Sequence, residues 1–138
     1  MFVLDTNVVS EMRWQEKMHP KVYAWAKRTP LASMYLSAVT LMELELGVLR
    51  IERKDTRQGA LLRWWLEKRV LTEFDGRSLP LDVASARHCA QFHVPDPKPE
   101  RDAMIASTAM AHGMIAVTRN VADFRQMGVA TVNPWLDH

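Results

Sequence analysis

The chain of 138 residues is expected to form an α/β fold, with parallel strands in a central sheet and helices packed on its faces. Two observations predict this. Short apolar runs bounded by turn residues alternate along the chain with longer amphipathic stretches, the pattern of successive strand–helix–strand units. In addition, four acids, Asp5, Glu43, Asp102 and Asp123, each stand where an apolar run gives way to a helical pattern. In an open α/β sheet, strand C-termini and helix N-termini gather along one edge, where ligands bind.

Phe2-Val3-Leu4 reads as a first strand, bulky enough for a central position buried on both sides. Thr6 or Asn7 is placed to cap a short helix, and Pro20 to begin a second one reaching about Arg28. A strand from Met34 to Ser37 follows Thr29-Pro30. Thr40-Leu41-Met42-Glu43 has the form of a capping box, and Leu41, Leu44, Val48 and Ile51 then recur at helical spacing. The same stretch also alternates through Met42, Leu44, Leu46 and Val48; its length and the box favour helix. Asp55-Thr56 starts a further helix carrying Leu61, Trp64, Trp65 and Leu71, closed by the turn Asp75-Gly76. An extended piece from Ser78 to Leu81 precedes Asp82, the cap of a helix to about Phe92.

After the loop Pro95-Asp96-Pro97-Lys98-Pro99, Asp102 opens a helix lined by Ala103, Ala106, Ser107, Ala109 and Met110, thin enough to lie close on a sheet. Gly113 suits its C′ position. A strand from Met114 to Thr118, a brief helix from Asn120, Gly128 and a strand from Val129 to Val132 complete the chain. No repeat, low-complexity segment or linker divides it, so residues 1–138 are expected to form one domain.

Composition excludes several classes and adds little else. A net charge of +2 permits a nucleic-acid partner without requiring one. Cys89 is the single cysteine, so no internal disulfide forms, and a buried thiol is expected. No run approaches the roughly 20 apolar residues of a membrane span. With no basic leader before Phe2, a cytoplasmic, soluble protein is expected. The histidines, His19, His88, His93, His112 and His138, are scattered and build no His-Glu-x-x-His helix. No Gly-x-Ser-x-Gly elbow is present, and the five glycines build no phosphate-cradling loop. Arg87, Arg101, Arg119 and Arg125 are candidates for phosphate contact, though surface arginines are ordinary.

The acids have a plain alternative. Glu43 fits the third position of the Thr40 box, Asp123 lies three residues after Asn120, and Asp5 and Asp102 would favour a helix dipole by about 0.3–1 kcal/mol. Taken singly, each is accounted for by capping. Taken together, four carboxylates on one sheet edge repel one another unless a cation joins them. The natural guest is a hard ion, Mg²⁺ or Mn²⁺, which points to metal-assisted phosphodiester chemistry.

Four blocks carry a family resemblance. Val3-Leu4-Asp5-Thr6-Asn7-Val8-Val9-Ser10-Glu11 resembles the opening of PIN-domain proteins, specifically VapC-type toxins of bacterial toxin–antitoxin pairs. Leu36 to Leu44 and Arg101 to Ala109 are similar to the second and third motifs. Val117 to Phe124, followed by Val132-Asn133-Pro134-Trp135, resembles the fourth block and tail of the FitB-like branch. The blocks occur in the family's order over essentially the whole chain.

The resemblance implies a Rossmann-like three-layer fold with strand order 3-2-1-4-5. It implies an Mg²⁺-dependent endoribonuclease (Mn²⁺ the alternative ion) whose catalytic and metal-binding residues are Asp5, Glu43, Asp102 and Asp123, with Asp5 and Asp102 the principal ligands. Glu43 and Asp123 would hold a second ion or orient the attacking water, and Asn7 and Thr118 would support the ligands from behind. Implied partners are RNA, a cognate antitoxin in a hetero-oligomer, and a second copy in a homodimer, with operator DNA reached only through the antitoxin. One departure stands out: many relatives carry arginines just after the second acid, where this chain has Leu44-Glu45-Leu46-Gly47. Two rival readings remain. A receiver-like signalling domain would want an adjacent acidic pair near Phe2–Thr6 and a lysine on the last strand, and neither is present. A catalytically idle binding module is opposed by the four intact acids.

Overall fold

A computed structural model describes residues 1–136; His138 lies outside the described residues. The strands form a five-stranded sheet in the order β3-β2-β1-β4-β5, with every pairing parallel. In chain order the elements are β1 (Phe2–Leu4), α1 (Thr6–Glu11), α2 (Pro20–Arg28), β2 (Met34–Ser37) and α3 (Ala38–Lys54). Next come α4 (Thr56–Trp65), a π-helical stretch (Leu66–Val70), α5 (Leu71–Glu73), β3 (Ser78–Leu79) and α6 (Val83–Phe92). The chain closes with α7 (Glu100–Ala111), β4 (Ile115–Val117), α8 (Val121–Gln126) and β5 (Thr131–Val132).

The two-residue period of the strands sorts the core into two layers. Leu4, Leu36 and Val117 point to one face, where they pack with Val8, Val22, Trp25, Leu44, Val48, Trp65 and Phe74 from α1 to the end of α5. Val3 and Ala116 point to the other, against Ala103, Ala106 and Ala109 of α7 and Phe124 of α8. The small residues of α7 are fully buried, so this helix lies close on the sheet, as its composition requires.

Several expectations need correction. α1 is capped by Asp5, whose side chain accepts from the Thr6 N–H, and not by Thr6 or Asn7. The Thr40 box does not form. β2 delivers Ser37 in extended conformation, and Ser37 caps α3 by accepting from the Thr40 N–H, so Glu43 lies inside the helix and not at its start. Asp102 sits in the first turn of α7 behind Pro99, and no side chain caps that helix. The outer strands are shorter than the apolar runs suggest: Ser78–Leu79 and Thr131–Val132, because only these residues face a ladder partner. β4 likewise spans only Ile115–Val117, without Met114 or Thr118. Cys89 is half-buried, not buried.

Candidate functional site

The strand order reverses between β1 and β4, the place where an α/β sheet opens a crevice beyond its strand ends. Asp5 is the residue that leaves β1 there. Its backbone N–H donates to the Val117 carbonyl at 2.8 Å, which ties it to the end of β4. Its Oδ1 accepts from the Thr6 N–H at 2.8 Å. Its Oδ2 accepts from the Thr118 hydroxyl at 2.7 Å and from Asn7 Nδ2 at 3.2 Å. Thr118 is itself buried and accepts from the Asn120 N–H at 2.9 Å, so its rotamer is held from both sides. The Asn7 side-chain Oδ1 accepts from the Arg119 N–H at 3.5 Å. Asn7 and Thr118 thus touch Asp5 directly, across the seam between the first and fourth strands.

Glu43 enters from the second turn of α3. Its Oε1 accepts from the Thr6 hydroxyl at 2.7 Å, and that hydroxyl lies 3.2 Å from the Thr40 hydroxyl. Its Oε2 faces Arg101 Nη1 at 3.5 Å. Asp102 and Asp123 arrive in the first turns of α7 and α8. The electrostatics join the four. Partial burial, followed by the charges of Asp5, Asp123 and Glu43, pushes the Asp102 carboxyl up to about 6. Burial likewise raises the Asp5 carboxyl above 3.8, and the charge of Glu43 adds to this against the hydrogen bonds from Thr118, Thr6 and Asn7. The capping alternative finds no bond at Asp102, whereas Asp5 both caps α1 and faces the other acids.

Among the described residues, no three Asp, Glu, His or Cys side chains close on one point as a ready-made metal cage. The acids act on one another through the intervening space. All four offer carboxylate oxygens, the donors a hard divalent cation takes.

The other candidates divide. Arg101 faces the site through Glu43. Arg119 stacks over Trp135 with its guanidinium carbon 5.0 Å from the ring centroid, and Arg125 bonds to the Thr131 hydroxyl at 3.3 Å. Arg87 is exposed on α6. Glu45, the departure after the second acid, turns to α4 and pairs with Arg63 at 2.5 Å, so its charge is met away from the acids. Of the adjacent tryptophans, Trp65 is buried in the core while Trp64 is exposed. The reading from sequence missed Thr6 and Thr40 as the hydroxyls beside Glu43. Their only signal was position: one follows Asp5, and the other precedes Glu43 by a single helical turn.

The model of the family described as PIN domain matches residues 2–129. VapC ribonuclease Y4jK of Sinorhizobium fredii is 34% identical over 140 residues, covering 98% of this chain and 98% of that protein. Toxin FitB of Neisseria gonorrhoeae is 36% identical over 143 residues, covering 99% of this chain and all of that one (100%). The structure of FitAB bound to an IR36 DNA fragment contains a chain that superposes with a TM-score of 0.89 at 35% identity, covering 100% of this chain and 99% of the other. With the parallel sheet, its strand order and these matches in agreement, the chain belongs to the PIN-domain family.

Proposed function

We propose that this protein is a divalent-metal-dependent endoribonuclease, the toxin of a toxin–antitoxin pair, acting in the cytoplasm on RNA phosphodiester bonds. The observation that carries the reading is the Asp102 carboxyl at the switch point, raised to about 6 by partial burial and then by the charges of Asp5, Asp123 and Glu43. A structure gains nothing in stability from such repulsion, and an oxygen-only donor set of this charge suits Mg²⁺ or Mn²⁺. Asp5 and Asp102 would be the principal ligands, with Glu43 and Asp123 as further ligands. When bound, the ion supplies Lewis-acid polarisation of the scissile phosphate and a water of lowered pKa.

The chain's own residues do the rest. Thr118 and Asn7 hold Asp5 in one rotamer, so the ligand does not have to be ordered on binding. Thr6 holds one oxygen of Glu43 at 2.7 Å, and Arg101 faces the other at 3.5 Å. Residues 1–138 would act as one domain. A relative named as a ribonuclease and another named as a toxin support the activity class, and the FitAB assembly supports an antitoxin partner through which DNA is reached. Leu61, Trp64 and Leu71 are exposed at helical spacing on α4 and α5, an apolar face suited to such a partner. A homodimer would complete the assembly.

Expression of the chain in cells, with and without its antitoxin, tests the proposal. New RNA 5′ ends at a recurring position, suppressed by the antitoxin, are the expected result. Growth arrest without new ends would overturn it.

A further inference from the structure

Among the described residues, Arg13 pairs with no carboxylate. Several other arginines of the chain have partners. Arg63 is ringed by Glu45, Glu52 and Glu67, Arg69 pairs with Glu73, and Arg77 donates to the backbone carbonyls of Leu31, Met34 and Glu73. The Arg13 guanidinium instead rests over two indoles, its central carbon 5.9 Å from the Trp14 ring centroid and 5.8 Å from that of Trp65. Its Nε is buried, and among the described residues no atom hydrogen-bonds to it. Its Nη groups are neither buried nor bonded among the described residues, so they are what an acceptor in the groove would meet.

The surroundings say which kind. Arg13 lines a groove of about 350 Å³ in which Glu43, Arg50 and Lys54 stand beside a largely apolar lining that includes Leu44, Val48 and Trp65. Arg50 and Lys54 are exposed on the same side of α3, one turn apart, and the groove runs to Glu43 at the acid cluster. A nucleic-acid strand lying across the acids must leave them with its phosphates neutralised, and this groove supplies three cations along one path. A guanidinium stacked on aromatic rings also keeps its fork flat and oriented, the geometry that grips phosphate with two parallel bonds.

We propose that Arg13 binds a backbone phosphate of single-stranded RNA next to the scissile bond, with Arg50 and Lys54 holding the following phosphates. The proposal rests on the nuclease reading for its substrate, and its test is separable from that reading. A labelled 12-nucleotide single-stranded RNA is bound to the full-length protein in EDTA at a series of salt concentrations, and cleavage is measured separately with Mn²⁺. Neutralising one phosphate contributes about 0.7 to the slope of log K against log salt for a single strand. Arg13→Ala should therefore flatten the slope by about 0.7, raise KM about tenfold and leave kcat within twofold. Arg13→Lys should keep most of the slope. Arg50→Ala with Lys54→Ala, on an exposed helix face, should flatten it by about 1.4 with an unchanged melting temperature, and this arm decides if Arg13→Ala does not fold. Unchanged slopes in both folded variants would show that Arg13 only covers Trp65, and the proposal would fall. It would fall equally if the variants weakened antitoxin binding and left RNA affinity intact, because the groove would then be a protein-docking site. A wild-type protein that binds RNA through Arg13 but cuts none under any metal would sink the nuclease reading alone.

Discussion

Replacing Asp102 with Asn should stabilise the metal-free protein while removing a carboxylate from its candidate site. Folding raises this carboxyl from the ordinary 3.8 to about 6, chiefly by partial burial and then by the charges of Asp5, Asp123 and Glu43. The folded state therefore holds the proton more tightly than the unfolded chain, and ionisation works against folding. Below pH 3.8 the group is protonated in both states and no penalty exists. The penalty grows as pH rises past 3.8 and is complete above about 6. A shift of this size corresponds to about 3 kcal/mol for a group shielded from water. Asp102 is only half-buried, so screening leaves about 1–2 kcal/mol.

Asparagine keeps the shape and cannot ionise. Asp102→Asn should thus melt about 3–10 °C above wild type at pH 7.5 in EDTA. The gap should shrink to about a third at pH 4.5. Adding Mn²⁺ should raise the wild-type melting temperature more than the mutant's, because a ligand bound only by the folded state stabilises it. A mutant no more stable than wild type at pH 7.5, or a gap independent of pH, would refute the claim that the acids crowd one another.

Thr118→Val keeps the volume but removes the buried hydroxyl that donates to Asp5 at 2.7 Å and accepts from Asn120 at 2.9 Å. Loss of a bond to a charged group should cost about 1.5–3 kcal/mol in urea unfolding, and a change below 0.5 would contradict that geometry (roughly the noise for a surface substitution). Gly59→Ala should destabilise by about 1–2 kcal/mol despite alanine's better helix propensity. Its Cβ would lie 2.7 Å from the Glu52 backbone Cα, so α3 and α4 would have to part, and a stabilised mutant would refute the close contact. Trp65→Ala should cost about 3–5 kcal/mol, whereas Trp64→Ala should leave stability within about 0.5 kcal/mol and weaken antitoxin binding in titration calorimetry.

What the sequence disclosed was what neighbouring residues decide together. Phe2–Leu4 and Met34–Ser37 stand out as strands because bulky runs there are bounded by turn residues, and α2 because Pro20 opens it. The four family blocks carried the strand order, since no local pattern separates 3-2-1-4-5 from its alternatives. Local signals misled where long-range structure chose between equals. Ser37 and Thr40 are both fit to cap α3, and Ser37 does so because pairing with β3 holds it extended. The outer strands stop early because their partners do. At the site, four acids at strand ends could be picked out one by one. Their mutual effect on Asp102 depends on α7 and α8 folding back over the switch point. The hydroxyl of Thr6 on Glu43, 37 residues away, left no trace in local pattern, nor did the pairing of Arg101 with Glu43.

The most direct test of the central claim is cleavage of a defined RNA by purified, antitoxin-free protein, first in excess chelator and then with Mg²⁺ or Mn²⁺ restored. The account expects no cutting in chelator, recovery with either ion, and none under any condition from folded Asp102→Asn. Undiminished cutting in chelator, or an Asp102→Asn protein that cuts like wild type, would contradict it.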